Sequence, residues 1–243
     1  MKIGVIGTGT IASALVEGLA GQGHRITVSE RSATHATRLA AQFDEVTIAP
    51  NQSVLDDSEV IFIGLMANAA ADVLNALAFR ADHRVVSLMA GPVLDEVAQM
   101  VAPARAEAVM IPFPGIARGG SPVLALGQVD LLHALFGDRN TLYELSTEAE
   151  LAAYICAQAV LSPAALLVAE AADWLGERVA ERDQGEAFLR LLVGSSLLGT
   201  ESRPLLAALD TPGGFNQRLR EDLRQSGMVS ALKRALDRLE GNA

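Results

Sequence analysis

The sequence predicts an α/β fold, in which a doubly wound parallel sheet is followed by an all-helical domain. Three observations support this prediction. Short apolar runs typical of buried strands alternate with helical segments as far as residue 145, a pattern typical of βαβ units with right-handed crossovers. A glycine-rich turn joins the first strand to the first helix. From Ser146 onward no further strand is predicted, and long segments rich in Ala and Leu follow.

The glycine-rich turn is the most informative stretch. The apolar run Ile3–Ile6 predicts a strand, and Gly7, Gly9 and Ala12 form the pattern G-x-G-x-x-A before a helix. The first glycine permits a tight turn, the second lets a diphosphate approach the backbone, and the small third residue lets the helix pack on the strand. Free N–H groups at the helix start would bind the phosphates. We therefore predict a Rossmann-type dinucleotide site, with a bare strand-to-helix turn as the alternative.

The second strand, Arg25–Ser29, ends at the position that selects the cofactor. Glu30 would accept hydrogen bonds from a ribose 2′-OH, as NAD requires, whereas Arg31 and Ser32 would suit the 2′-phosphate of NADP. Ser32 also suits the N-cap of the next helix. The residues alone leave both cofactors open.

The remaining elements divide the chain into two predicted domains. A dinucleotide-binding domain covers residues 1–146 and an all-helical substrate and dimerisation domain covers residues 147–243. Further strands are predicted at 46–48, 59–64, 84–88, 108–111, 122–126 and 141–145, and helices at 33–43, 67–77, 94–101, 129–136, 164–180, 187–198, 217–225 and 228–239.

The helical half is apolar over much of its surface. Such helices need burial on more than one side, which favours a homodimer over the alternative of a large monomer core. The uncharged run Leu151–Ala169 is long enough to span a bilayer. However, Gln158 and the pair Ser162-Pro163 interrupt it, and acidic residues flank it without basic anchors. We interpret it as a helix buried in protein, between subunits, and predict no membrane partner.

Composition narrows the function classes. The net charge of −10 argues against nucleic acid as a partner, because phosphates require a basic surface. The single cysteine, Cys156, lies in an apolar setting, which indicates an inert buried thiol in a reducing cytoplasm. The four histidines show no metal-ligand spacing, so no metal is predicted.

Over nearly its full length, the sequence resembles the pyrroline-5-carboxylate reductase family. MKIGVIGTGTIASALVEGL resembles the family's phosphate loop, and VSERS is similar to its 2′-phosphate loop, which usually serves NADPH. APNQSV places Asn51 like the asparagine near the adenosine. IFIGLMANAAADVL resembles the A-V-K-P segment, and VVSLMAGPVLDEV the strand beside the nicotinamide. TPGGFNQRL resembles the S-P-G-G-T-T segment, and GMVSALKRALDRL the helix after it.

The resemblance implies an NADP-dependent oxidoreductase of proline and amino-acid biosynthesis that transfers a hydride to the C=N of a small cyclic imine, with NAD kept open by Glu30. It implies Asn216 as the catalytic residue. The cofactor-binding residues that we predict are Gly7, Thr8, Gly9, Thr10, Ile11, Ser29, Arg31, Ser32, Asn51, Leu65, Met66, Ala90 and Gly91. The predicted substrate-binding residues are Ser162, Thr211, Gly213, Gly214 and Asn216, where Gly213, Gly214 and Asn216 would hold a substrate carboxylate at a helix start.

The sequence departs from the family where the chemistry should occur. Met66 and Ala67 stand at the lysine and proline of A-V-K-P, and Phe215 and Asn216 replace the two threonines. Asn216 can still donate a hydrogen bond, but Phe215 cannot. Two alternatives therefore remain: a reductase of another imine or of a carbonyl, the latter disfavoured by the lack of an evident proton donor, and a dimeric nucleotide-binding protein without catalysis.

Overall fold

The computed structural model describes residues 1–241. The chain divides into two compact units, Met1–Leu151 and a second that begins at Ala152. The domain boundary predicted between residues 146 and 147 lies a few residues earlier, in the loop that follows the last strand.

Unit 1 is built on one eight-stranded sheet with the order β3-β2-β1-β4-β5-β6-β7-β8. The strands are β1 (Lys2–Ile6), β2 (Arg25–Ser29), β3 (Val46–Ala49), β4 (Val60–Ile63), β5 (Arg84–Ser87), β6 (Arg105–Pro112), β7 (Pro122–Gly127) and β8 (Thr141–Leu145). Neighbouring strands are parallel except β6 and β7, which are antiparallel. The connection between those two, residues 113–121, is shorter than the dozen or so residues that a parallel crossover needs.

Helices cover both faces of this sheet, which confirms the predicted doubly wound α/β fold. They are α1 (Thr10–Leu19), α2 (Ala33–Gln42), α3 (Asn51–Asp56), α4 (Ala67–Leu74), α5 (Leu94–Met100) and α6 (Asp130–Phe136). Side chains of α1, α2 and α6 join one apolar core, and those of α3, α4 and α5 join the other. Helix α3 was not predicted, because a six-residue helix after Pro50 is too short to show helical periodicity.

The described part of unit 2 contains helices and no strand, as predicted. Its helices are α7 (Glu148–Ala157), which begins in the last residues of unit 1, α8 (Leu161–Gly176), α9 (Arg182–Gly199), α10 (Ser202–Ala208), α11 (Phe215–Gln225) and α12 (Met228–Glu240). A short 3₁₀ turn, Gln158–Val160, connects α7 to α8. Helices α8 and α9 approach closely at Gly185, where an added Cβ would lie 3.0 Å from Leu175. The short helix α10 was not predicted.

The apolar side chains of unit 2 are largely exposed within the single chain, and their predicted burial between subunits remains a prediction. The most exposed include Leu161, Leu166, Trp174, Phe188, Leu191 and Leu198. By length and composition, Glu148–Gly176 could also cross a membrane, and only 11% of its most apolar window is buried. A single chain therefore leaves this apolar surface exposed, because α8 and α9 have too few neighbours within the chain to enclose it.

Candidate active site

The strand order of unit 1 creates a crevice beside the glycine-rich turn. β1 lies between β2 and β4. The chain therefore adds β2 and β3 on one side of β1 and then returns to add β4 and β5 on the other side. Ligands of open α/β sheets bind at this reversal, outside the carboxyl ends of the strands. A cleft of about 510 Å³ lies there, lined by residues that follow β1, β4 and β5.

Two glycines allow the ends of β1 and β4 to approach each other closely beside this cleft. Gly7 has a φ of +88°, and an added Cβ would lie 2.6 Å from the carbonyl oxygen of Gly64. A Cβ on Gly64 would in turn lie 2.7 Å from the carbonyl oxygen of Gly7 and 3.0 Å from the Ala12 Cβ. The ends of β1 and β4 thus touch through backbone atoms, and only glycine fits at either position. The role of Gly64 was not predicted, because Gly7, which it contacts, is distant in the sequence.

The start of α1 presents free donors to open space. The first intrahelical bond runs from the Ser13 N–H to the Gly9 carbonyl at 2.8 Å, so the N–H groups of Thr10, Ile11 and Ala12 have no partner within the helix. An added Cβ on Gly9 would meet no atom within 4 Å. The second glycine of the motif therefore leaves room over an uncapped helix N-terminus, where the helix dipole favours an anion.

Thr8 and Ser29 hold the glycine-rich turn against the end of β2. Both side chains are fully buried. The Gly7 N–H donates to Ser29 Oγ at 2.8 Å, and the Thr8 hydroxyl donates to the Ser29 carbonyl at 3.0 Å. Both residues were predicted to contact the cofactor. Their side chains are used to hold the turn and do not line the cleft, and a contact of either residue with the cofactor remains a prediction.

Six of the predicted cofactor residues line the cleft. These are Gly9, Thr10, Ile11, Leu65, Met66 and Ala90. Six further lining residues were not predicted: Ala12, Gly64, Ala67, Asn68, Leu88 and Met89. All six are sequence neighbours of predicted ones, and the carboxyl ends of β4 and β5 were the signal that could have found them. Met66 is the most prominent wall residue, with 75% of its surface exposed.

The remaining predicted cofactor residues lie outside the cleft lining. Arg31 is exposed, and Ser32 is half-buried at the N-cap of α2, where its side chain makes no capping bond. Because β2 pairs with β1 in parallel, both follow a strand that ends at the same edge of the sheet as Gly7. Asn51 is the half-buried first residue of α3, and Gly91 has a φ of +119° just after β5.

The cleft contains no titratable side chain. Its only polar side chains are those of Thr10 and Asn68. The groups of the described chain with clearly shifted pKa values are His24, Glu45, Asp82, His83 and Arg84, and none of them lines the cleft. Residues 1–241 also bring together no cluster of three or more metal-ligating residues. The wall of the cleft can therefore orient a reactant but cannot supply a strong acid or base.

Unit 2 contains the predicted substrate loop. The Gly213 N–H donates to Gln217 Oε1 at 2.7 Å, and the Gly214 N–H donates to the Thr211 carbonyl at 2.9 Å. Two of the three donors that we predicted for a carboxylate, the Gly213 and Gly214 amides, are therefore already bonded within the loop. Asn216 is the exposed second residue of α11.

The last predicted substrate residue, Ser162, is the exposed second residue of α8. It lies outside the loop that contains Thr211, Gly213, Gly214 and Asn216. Its predicted contact with substrate remains a prediction.

Comparison with known proteins agrees with this geometry. Residues 2–91 match the family described as "NADP oxidoreductase coenzyme F420-dependent". A 1-pyrroline-5-carboxylate reductase from Streptococcus pyogenes is 21% identical, with a TM-score of 0.82 over 100% of this chain and 97% of its own. The chain has the pyrroline-5-carboxylate reductase fold. The resemblance seen in the sequence is thereby confirmed at the level of the fold.

Other solved structures extend the comparison. A pyrroline carboxylate reductase from Plasmodium falciparum, with NADP bound, is 13% identical, with a TM-score of 0.82 over 100% of this chain and 96% of that one. An imine reductase from Pseudomonas sp. is 20% identical, with a TM-score of 0.66 over 96% of this chain and 87% of that one. No curated protein sequence matches this chain significantly.

Proposed function

We propose that this protein is an NADP-dependent reductase of a C=N bond. The observation that carries the proposal is the open, uncapped start of α1 beside Gly9, because such a helix start can bind a diphosphate and lies next to an apolar cleft of about 510 Å³. The Plasmodium structure with NADP bound and the imine reductase of the same fold support the cofactor and the reaction class. Proline biosynthesis is the finer prediction that the family resemblance adds.

The residues present fit a dinucleotide. The amides of Thr10, Ile11 and Ala12 would hold the diphosphate, and Arg31 and Ser32 would hold the 2′-phosphate of NADP. The cleft residues that follow β4 and β5, among them Met66 and Ala90, would line the nicotinamide. When bound, the dihydronicotinamide supplies a hydride to the imine carbon, while the nitrogen arrives protonated or takes a proton from water, so that an amine and the oxidised nicotinamide result.

This chain contributes orientation and exclusion of water rather than acid–base chemistry. A protonated iminium needs no strong acid, which agrees with a cleft wall free of titratable groups. Apolar lining residues such as Leu88 and Met89 would help to orient the reactants, and such positioning supplies most of the acceleration in reactions of this kind. Asn216 is the residue that we propose to donate a hydrogen bond at the substrate.

NADPH oxidation in the presence of cyclic imines tests the proposal. We expect imine-dependent loss of the dihydronicotinamide absorbance, with formation of the corresponding amine. If the protein binds NADPH but turns over no imine or carbonyl, the proposed reaction is wrong. The alternative of a nucleotide-binding protein without catalysis would then stand.

We further propose that the protein is a homodimer in which α8 and α9 of two copies cover each other. The supporting observation is the row of exposed apolar side chains on these helices, including Leu191 at 72% exposure. Such surfaces are unusual on a monomer. The Leu191→Glu variant should shift the mass measured by light scattering to that of one chain, whereas the control Ile48→Glu, on the exposed side of β3, should leave it unchanged. A dimeric Leu191→Glu would contradict this arrangement.

The unpaired Cys156 agrees with our prediction of a cytoplasmic location. Fractionation of cells that make the protein would test that prediction, which fails if the protein is recovered with membranes.

A further inference from the structure

We propose that the substrate is an imine whose substituents are apolar, and not one that carries a carboxylate. This inference rests on the proposed reduction of a C=N bond and names the substrate class for the same reaction. It departs from the carboxylated imine that the family resemblance implies.

The first argument is the chemistry of the cleft in unit 1. Among its twelve lining residues only Thr10 and Asn68 have polar side chains, and none is charged. Met66, exposed at 75%, stands where the resembling family has a lysine. A carboxylate that loses water against such a wall has no cation to replace it. An apolar substituent gains free energy from the same contact.

The second argument is the state of the loop in unit 2. The Gly213 N–H is bonded to the Gln217 side chain at 2.7 Å, and the Gly214 N–H is bonded to the Thr211 carbonyl at 2.9 Å. A carboxylate would have to displace Gln217 from Gly213, so binding would exchange one hydrogen bond for another.

The amides that open α11 do not change this conclusion. The first intrahelical bond runs from the Arg218 N–H to the Gly214 carbonyl, so the amides of Phe215, Asn216 and Gln217 remain without helical partners. The dipole of an exposed helix start strengthens anion binding by no more than about fivefold. The space over this start is also less open than at Gly9, because an added Cβ on the N-cap Gly214 would lie 3.0 Å from the Thr211 carbonyl oxygen, which repels an anion.

Phe215 adds an apolar group beside these amides. It is the first residue of α11, directly after the Gly213-Gly214 pair, and its surface is 90% exposed. A large aromatic ring held in water gains free energy when an apolar ligand covers it. In the resembling family a threonine occupies this place. Phenylalanine in place of threonine removes a hydroxyl donor and adds an apolar contact. Both changes favour an apolar substituent on the ligand over a carboxylate.

Steady-state kinetics with a matched pair of imines tests the inference. The pair is 2-methyl-1-pyrroline and 1-pyrroline-2-carboxylate, which share a ring and differ in the substituent on the carbon that accepts the hydride. We expect kcat/KM with NADPH to be higher for the methyl compound by roughly 100-fold, which corresponds to about 2.7 kcal/mol. An equal or higher value for the carboxylate compound would overturn the inference.

A binding measurement separates this inference from the proposed reaction. Calorimetry on the protein saturated with NADP⁺ would compare 2-methylpyrrolidine with proline. If neither imine reacts but 2-methylpyrrolidine binds more tightly than proline, the reaction is wrong and a ligand class without a carboxylate is supported. Tighter binding of proline, or binding of neither amine, would overturn the ligand class.

Two loop variants test the structural cause. Gln217→Ala frees the Gly213 N–H, and Phe215→Thr restores a hydroxyl. Each should raise kcat/KM for the carboxylated imine relative to the methyl imine, by about fivefold or more. The matched control is Gln225→Ala, because Gln225 lies on the same helix and its side chain bonds Glu221 one turn earlier. If the ratio in Gln217→Ala and Phe215→Thr stays at that of the control, the loop does not select the substrate.

Discussion

The substitution Gly9→Ala should remove cofactor binding while leaving the fold intact. A Cβ at this position meets no protein atom within 4 Å, and the φ of −85° and ψ of −171° are accessible to alanine. Replacing an N-cap glycine by alanine costs at most about 1 kcal/mol. The reduced freedom of the unfolded chain offsets about 0.4–1 kcal/mol of that cost. The free energy of unfolding should therefore change by less than about 1 kcal/mol.

The same methyl group would occupy the space through which a diphosphate reaches the amides of Thr10, Ile11 and Ala12. Loss of one charge-assisted hydrogen bond costs about 2–3 kcal/mol, which raises the Kd for NADPH roughly 30- to 150-fold. Calorimetric titration measures the Kd, and thermal unfolding of the same sample measures stability. A Kd within threefold of the wild-type value, or lost binding accompanied by an unfolded protein, would refute this reasoning.

Gly7→Ala is the informative comparison. Its Cβ would lie 2.6 Å from the Gly64 carbonyl oxygen at a φ of +88°. We expect about 2 kcal/mol or more of lost stability from the left-handed backbone and the clash together. Binding and stability should therefore fall together in Gly7→Ala but separate in Gly9→Ala. Equal behaviour of the two variants would mean that Gly9 has only a structural role.

Three other predictions follow from the geometry. Arg31→Ala should weaken NADPH binding at least tenfold more than NADH binding, because only NADPH carries the 2′-phosphate; equal losses would show that Arg31 does not select the cofactor. Arg84→Ala should lower the free energy of unfolding by about 3 kcal/mol, because it leaves the buried Glu107 carboxylate, held at 2.8 Å, without its partner; a loss below about 1 kcal/mol in urea unfolding would contradict this. Burial, aided by the charge of Arg80, lowers the pKa of His83 below 6.5, despite the opposing effect of nearby carboxylates. Since the unfolded chain then binds the proton more readily, the free energy of unfolding should fall as the pH drops below about 6.5. The His83→Gln variant should lose this pH dependence; an unchanged pH dependence would show that other groups cause it.

The sequence was informative wherever the determining contacts are local. The G-x-G-x-x-A turn of Gly7, Gly9 and Ala12 could be identified because strand, turn and helix are consecutive. The strand Arg25–Ser29 was predicted with the observed bounds, because short runs rich in β-branched residues are typical of strands. The bounds of Thr141–Leu145 were also predicted, although this strand lies at the edge of the sheet and is largely exposed.

The features that escaped prediction depend on contacts between distant segments or on the direction of one side chain. Gly64 is required only because the Gly7 carbonyl lies against it. The burial of Thr8 and Ser29 against each other follows from the pairing of β1 with β2. The bond between Gln217 and Gly213 depends on a rotamer that residue types do not reveal. Sequence patterns therefore located the candidate site, whereas the available donors could be identified only from the structure.

A crystal structure from crystals of the protein soaked with NADPH would test most directly the central claim that the start of α1 binds the cofactor diphosphate. We predict density for the diphosphate against the amides of Thr10, Ile11 and Ala12, with the nicotinamide beside Met66 and Ala90. Density for the cofactor at another place, or an empty cleft at saturating NADPH, would contradict the account.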